Sequence, residues 1–218
     1  MSRITDYSFL FQSMFGGTQT NRVNNIQLSQ LNSSSVRSQL KAAGIDTNSK
    51  QYKAALKQMM SNANGAMYTN INAIKNLMKN YDKDGDYIDP NTGLAGLVVT
   101  EKNIASKNRI ISIPESSREE MFELAKKEFI RENGVINDTT KRSDVFTNLY
   151  RKMQKNDRLA AGYTLAQYES AYRQAFYDAV KAADPSWELG KPIKSGVLDN
   201  ITREDVEKAL KQSGNKFV

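Results

Sequence analysis

Apolar residues return at three- and four-residue steps through much of this chain, the spacing of helices that turn one face to a core. Met67, Ile71, Ile74, Leu77, Met78 and Tyr81 make the clearest stripe and predict a helix over residues 66–81. Ahead of it, Tyr52, Leu56, Met59 and Met60 mark a helix that Thr47, Asn48 or Ser49 can cap and that loses its pattern at Asn62-Ala63-Asn64-Gly65. Val36, Leu40 and Ala43 give a shorter one, opened by Ser35 and closed by Gly44.

The second half of the chain repeats the theme with larger side chains. Phe122, Ala125 and Phe129 share a helix face that starts at Ser116 or Ser117 and closes at Gly134. Val145, Phe146, Leu149, Tyr150 and Met153 form the next, capped by Thr140 or Ser143. Thr164 with Gln167 reads as a capping box before Leu165, Tyr168, Tyr172, Ala175, Phe176 and Ala179, and Asp184-Pro185 stops that helix. Thr202 with Asp205 opens a last helix through Val206, Ala209 and Leu210, ended by Gly214. Trp187 is expected to plug the core behind the aromatic helix.

Between these segments, Leu94–Val99 and Ile110–Ile113 are short β-prone runs, and Thr100 can cap a helix through Ile104. Residues 16–34 are rich in Asn, Gln, Ser and Thr with few apolar anchors, which predicts an extended arm that gains too little from burial to become ordered. The fold class is therefore mainly α, a multi-helix bundle with at most short β segments. Its organisation is an aromatic peptide and polar arm over 1–34, a helical unit over 35–113 and a second helical unit over 114–218, with the boundary at Pro114.

Composition narrows the chemistry more than it narrows the fold. The chain has 218 residues and neither cysteine nor histidine, so disulfides, thiolate nucleophiles, Cys/His zinc sites and imidazole acid–base catalysis are excluded. Mean hydropathy is −0.62, and no apolar run approaches the roughly 20 residues that span a bilayer. The net charge of +7 invites an anionic partner. Basic residues nevertheless cluster no further than pairs such as Lys126-Lys127, with acids beside them in Arg118-Glu119-Glu120; these are solvated helix faces, and no nucleic-acid partner is expected.

The first fifteen residues lack the continuous apolar run and small-residue cleavage site of a Sec signal, since Asp6, Gln12 and the serines interrupt them. Cytoplasmic residence or export by a non-Sec route is the resulting expectation. Phe9, Leu10, Phe11, Met14 and Phe15 form an aromatic cluster that packs on the domain itself or, through Phe9, Phe11 and Phe15, on a protein partner or a second copy.

One stretch points to a specific chemistry. In Asp82-Lys83-Asp84-Gly85-Asp86-Tyr87-Ile88-Asp89 the aspartates alternate around a glycine, and a predicted helix runs into them. Side-chain oxygens at loop positions 1, 3 and 5 are the first half of an EF-hand, and this donor set suits calcium. Like charges held this close oppose folding unless a cation offsets them. The loop departs from the EF-hand pattern twice: position 6 is Tyr87 rather than glycine, and position 12 is Gly93 rather than glutamate. Asp89, or Glu101 farther on, would have to complete a shell begun by Asp82, Asp84 and Asp86. A plain Asp-Gly turn with locally bonded aspartates is the competing account.

The segments Lys41–Lys50, Asp82–Asp86, Ile110–Arg118 and Ala183–Trp187 together resemble an uncharacterised family of proteins from anaerobic Gram-positive bacteria. The resemblance covers nearly the whole chain and implies one bacterial family unit rather than a fusion; it supplies no activity. Three functional classes follow from the residues. The first is a non-enzymatic helical protein with a structural calcium loop. The second is a partner-binding or assembly protein of the surface-appendage type, acting through its aromatic amino terminus. The third, a glycosidase-type carboxylate pair, has no nucleophile motif, phosphate loop or cofactor fingerprint beside it.

Overall fold

A computed structural model describes residues 25–61 and 68–214. The protein is mainly helical, with two short antiparallel strand pairs among the described residues. The elements run in the order β1 (Ile26–Gln27), α1 (Ser34–Ala42), α2 (Lys50–Ser61), β2 (Tyr68–Thr69), α3 (Ile71–Met78), β3 (Ile88–Asp89), β4 (Leu94–Ala95), α4 (Glu115–Arg131), α5 (Thr140–Lys152), α6 (Arg158–Ala183) and α7 (Arg203–Gln212). Two compact units result, the first ending at Pro90 and the second beginning at Asn91, in the turn between β3 and β4. Residues 91–113, grouped with the loop in the sequence reading, thus belong with the carboxy-terminal helices.

The first unit closes on Ile26, Leu31, Val36, Leu40, Ile45, Tyr52, Met59 and Ile74. Two of these come from the stretch expected to be an unanchored arm. Ile26 pairs with Thr69 across the β1–β2 ladder, and Leu31 is only 2% exposed, so three spaced apolar residues, Ile26, Leu28 and Leu31, suffice to tie down the described part of that arm. Ser33, not Ser35, caps α1, its hydroxyl accepting from the Val36 amide at 3.3 Å. Residues 1–24, including Phe9, Phe11 and Phe15, lie outside the described residues.

The helix expected over residues 66–81 is shorter. Tyr68 and Thr69 are claimed by β1, and the Asn70 side chain caps the Ala73 amide at 2.8 Å, so α3 begins only at Ile71. It ends at Met78 because Asn80 and Tyr81 donate their amides to Leu77 and Met78, tightening the last turn. The apolar stripe is real; capping and strand pairing shorten it at both ends.

The second unit packs α4, α5, α6 and α7 around Met121, Phe122, Phe129, Leu149, Leu165, Tyr172, Phe176 and Trp187. Phe122 meets Tyr172 and Phe176 edge-on, with ring centroids 5.1 and 5.4 Å apart, the arrangement that the ring quadrupole favours. Trp187 is buried as expected, its indole N–H donating to the Lys191 carbonyl at 2.8 Å. Thr164 is not a helix start. It sits buried inside α6, its hydroxyl donating to the Ala160 carbonyl and accepting from the Ile111 amide, which holds the extended Ile110–Ile113 run against α6. Of Leu94–Val99 only Leu94 and Ala95 form a strand, because Gly96 turns away at φ +87°.

Two carboxylates in this unit are buried and paired by arginines. Glu128 accepts from Arg142 at 2.7 and 3.0 Å, and Arg142 also pairs with Glu169 at 2.9 Å. Glu207 accepts from Arg203, Arg118 and the Tyr172 hydroxyl, while Arg203 also reaches Glu115, Glu119 and Glu204. This second cluster fixes α7 to the start of α4. Removing one partner of a buried pair strands the other charge. Arg142→Met is therefore expected to lower stability by about 3–5 kcal/mol, read in urea from the fluorescence of Trp187, the single tryptophan. The double variant Arg142→Met/Glu128→Met should regain part of that loss, since Glu169 is still left without its Arg142 partner.

Candidate functional site

Backbone geometry comes first in the acidic loop. Tyr81 and Tyr87 form an antiparallel bridge, their rings 5.8 Å apart edge to face. Inside that bridge the Asp82 amide donates to the Asp86 carbonyl at 2.9 Å, and outside it the Ile88 amide donates to the Asn80 carbonyl at 2.8 Å. The segment is a tight hairpin rather than the open loop of a helix–loop–helix. An EF-hand needs a helix delivering position 1; here α3 stops at Met78 and a strand-like bridge takes over.

Asp82 shapes the tip. Its Oδ1 accepts from the amides of both Asp84 and Asp86 at 2.9 Å, while its carbonyl accepts from the Gly85 amide at 3.0 Å. Asp82 thus acts as the turn-forming aspartate, a role its short carboxylate suits. Gly85 takes φ +80°, a left-handed conformation that costs a residue with a Cβ. A second demand falls on the same glycine, since a Cβ there would lie 2.8 Å from the Lys50 carbonyl. The turn is seated against the first residue of α2.

Residues of α2 that the sequence reading passed over complete this seat. The Gln51 side-chain amide donates to the carbonyls of Met78 at 3.0 Å and Tyr81 at 2.7 Å, closing the carbonyl end of α3. The Tyr81 hydroxyl donates to Gln58 Oε1 at 2.6 Å. Gln51 and Gln58 stand seven residues apart and so share a helix face; two long amides on one face turned inward was the available signal.

The predicted ligands fall into separate places. Asp82, Asp84 and Asp86 line one turn and Asp89 follows in β3. Glu101 is exposed in a turn after β4, where Asn103 accepts from the Thr100 amide at 2.7 Å, and a single turn of 3-10 helix (Ile104–Ser106) follows in place of the expected longer helix. The donor set is all oxygen, as calcium requires. Among the described residues, however, no group of three or more acidic side chains is gathered so as to hold a metal ion.

Elsewhere, a groove of about 720 Å³ runs between α6 and α7, floored by Ala171, Ala175, Val206 and Leu210. Polar side chains share the lining, among them Asp178, Asp205, Ser170 and Ser213. What the fold defines is a helical domain with a clasped acidic turn. The chain belongs to the family of domains of unknown function DUF3879, whose model matches residues 45–217, the second half of the first compact unit and nearly all of the second. No curated protein and no solved structure matches the chain.

Gly85→Ala tests the seat of the turn. It should destabilise the first unit by about 1–2 kcal/mol from backbone conformation alone, with more from the Lys50 contact. Faster amide exchange in α2 and α3, with α4–α6 unchanged, is the expected readout.

Proposed function

We propose that this protein is a non-enzymatic helical domain in which the Asp82–Asp89 turn is a structural calcium site. The observation that carries the reading is the preset bend: Asp82 Oδ1 and the left-handed Gly85 hold the alternating aspartates on one short turn. An ion would then need side-chain rotation at Asp84, Asp86 and Asp89, not refolding of the backbone. Its effect would be to neutralise the turn and stiffen the clasp that Lys50, Gln51 and Gln58 make with it. With neither Gly at position 6 nor Glu at position 12, affinity should fall near the roughly 0.1–1 mM of extracellular modules. Calorimetry and thermal melts with calcium and with chelator test this. A heat of binding and a raised melting point are expected, both lost in Asp84→Ala; no heat and no shift would overturn the reading.

A partner-binding role through the aromatic amino terminus is the alternative, motivated by five large apolar side chains within residues 9–15. Deleting residues 1–15 should then abolish association, measured by sedimentation, while leaving the circular dichroism of the helices intact. Unfolding of the truncated chain would assign the cluster to the domain's own core.

A further inference from the structure

At the carboxyl end of α1 the first unit has a cavity that the acidic turn does not use. It is a broadly open depression of about 510 Å³, lined by Arg37, Ser38 and Lys41 from α1 and by the turn Gly44–Asn48, most of them exposed, a volume in the range of small-molecule sites. Arg37 and Lys41 lie one helical turn apart and so project from one face. Neither makes an ion pair among the described residues, whereas in the second unit Arg109, Arg118, Arg142 and Arg203 are all paired with carboxylates.

The wall opposite the cations is set for donation. Gly44, at φ +79°, lets the chain reverse while the Gly44 and Ile45 amides close the Lys41 and Leu40 carbonyls, and Arg37 and Lys41 have to outweigh the negative end of the helix dipole. Asp46, the one carboxylate in the lining, has its Oδ1 engaged by the Asn48 amide at 2.8 Å, and its carbonyl takes the Ser49 hydroxyl at 2.7 Å. Ser38 donates to the Ser34 carbonyl. The Thr47 hydroxyl and the Asn48 side-chain amide are left as donors beside the two cations. Two cations against one carboxylate give the lining a net formal charge of +1.

A second observation concerns a buried phenol of α2 that feels the Arg37 charge. Tyr52 is buried, its hydroxyl has no hydrogen-bond partner among the described residues, and the nearby Arg37 charge acts on it against the upward pull of burial on its pKa. Tyr52 does not itself line the cavity; its hydroxyl is a free donor within range of the Arg37 charge.

We infer that this cavity binds the anionic group, phosphate or carboxylate, of a small molecule, with Arg37 and Lys41 as the charged contacts and Thr47 and Asn48 as the neutral donors. Arg37 supplies the planar fork that takes such a group bidentately, and Lys41 a point charge.

The test uses the full chain with inorganic phosphate in one arm and citrate in the other, each against sodium chloride of matched ionic strength. At least one anion is expected to raise the melting point by several degrees and to shift the amide resonances of Arg37, Lys41, Thr47 and Asn48; the arm that responds names the group. Arg37→Gln/Lys41→Gln should lose the response. Lys53→Gln/Lys57→Gln, which removes the same charge from the exposed face of α2, should keep it. No response beyond the salt control, an undiminished response in Arg37→Gln/Lys41→Gln, or an equal loss in Lys53→Gln/Lys57→Gln would each overturn the proposal.

Discussion

Asp82 spends one carboxylate oxygen on two backbone amides, and the rest of the acidic turn follows from that expenditure. With the Asp84 and Asp86 amides drawn to one point, the chain must reverse within a few residues, and the reversal requires a left-handed residue, which only glycine adopts cheaply. The reversed chain then comes close enough to α2 that the Gly85 position and the Lys50 carbonyl leave no room for a methyl group. From there Gln51 can reach the exposed carbonyls of α3. A short helix of this kind is marginal by itself; its end is stabilised by the same residues that seat the turn, so the turn and the α2–α3 pair form one cooperative piece.

The second unit answers a different constraint. Moving a carboxylate out of water costs several kcal/mol, and Glu128 and Glu207 are both nearly inaccessible. Each is met by guanidinium groups whose forked donors can serve more than one oxygen at once. At Glu207 the Tyr172 hydroxyl adds a third donor, and burial together with that carboxylate drives the phenol far above its ordinary pKa, so it stays a donor at every accessible pH. These clusters specify which helix faces meet. A sliding of α7 by one turn would part Glu207 from Arg118 and Tyr172, and Arg203 from Glu115 and Glu119, whereas the apolar contacts of Val206 and Leu210 alone would tolerate it.

Much of this was legible in the residues, and the failures share a cause. The apolar periodicities, the Gly44, Gly134 and Gly214 helix ends, the Thr202–Asp205 cap and the buried Trp187 are consequences of local preference, which a linear reading can follow. Thr164 was misread because a buried threonine that bonds its own i−4 carbonyl has the same identity as a cap; the difference lies in Ile111, fifty-three residues away. The helix expected to run into Asp82 was shortened by β1, whose claim on Tyr68 and Thr69 spans some forty residues. Arg142 with Glu128 and Arg203 with Glu115 and Glu119 left no sequence signal, since ion pairing has no period.

The acidic turn also separates two questions that the spacing of its aspartates had joined. Alternation around glycine is shared by a cation loop and by an aspartate-nucleated reversal, because both need short oxygen-bearing side chains that fold back on their own backbone. What distinguishes them is the direction of the remaining oxygens and what stands on either side. A helix entering at position 1 and a long carboxylate at position 12 would bring ligands in from both flanks; here a tyrosine bridge occupies the first place and a glycine the second. Any ion at this turn must be held from one side only. Such a half-shell leaves the cation largely hydrated and its binding weak, and confines its influence to the residues that already clasp the turn. A stiffening of the α2–α3 piece is then the largest effect a cation could have, because nothing in the turn links its charge to the opening of a helix pair.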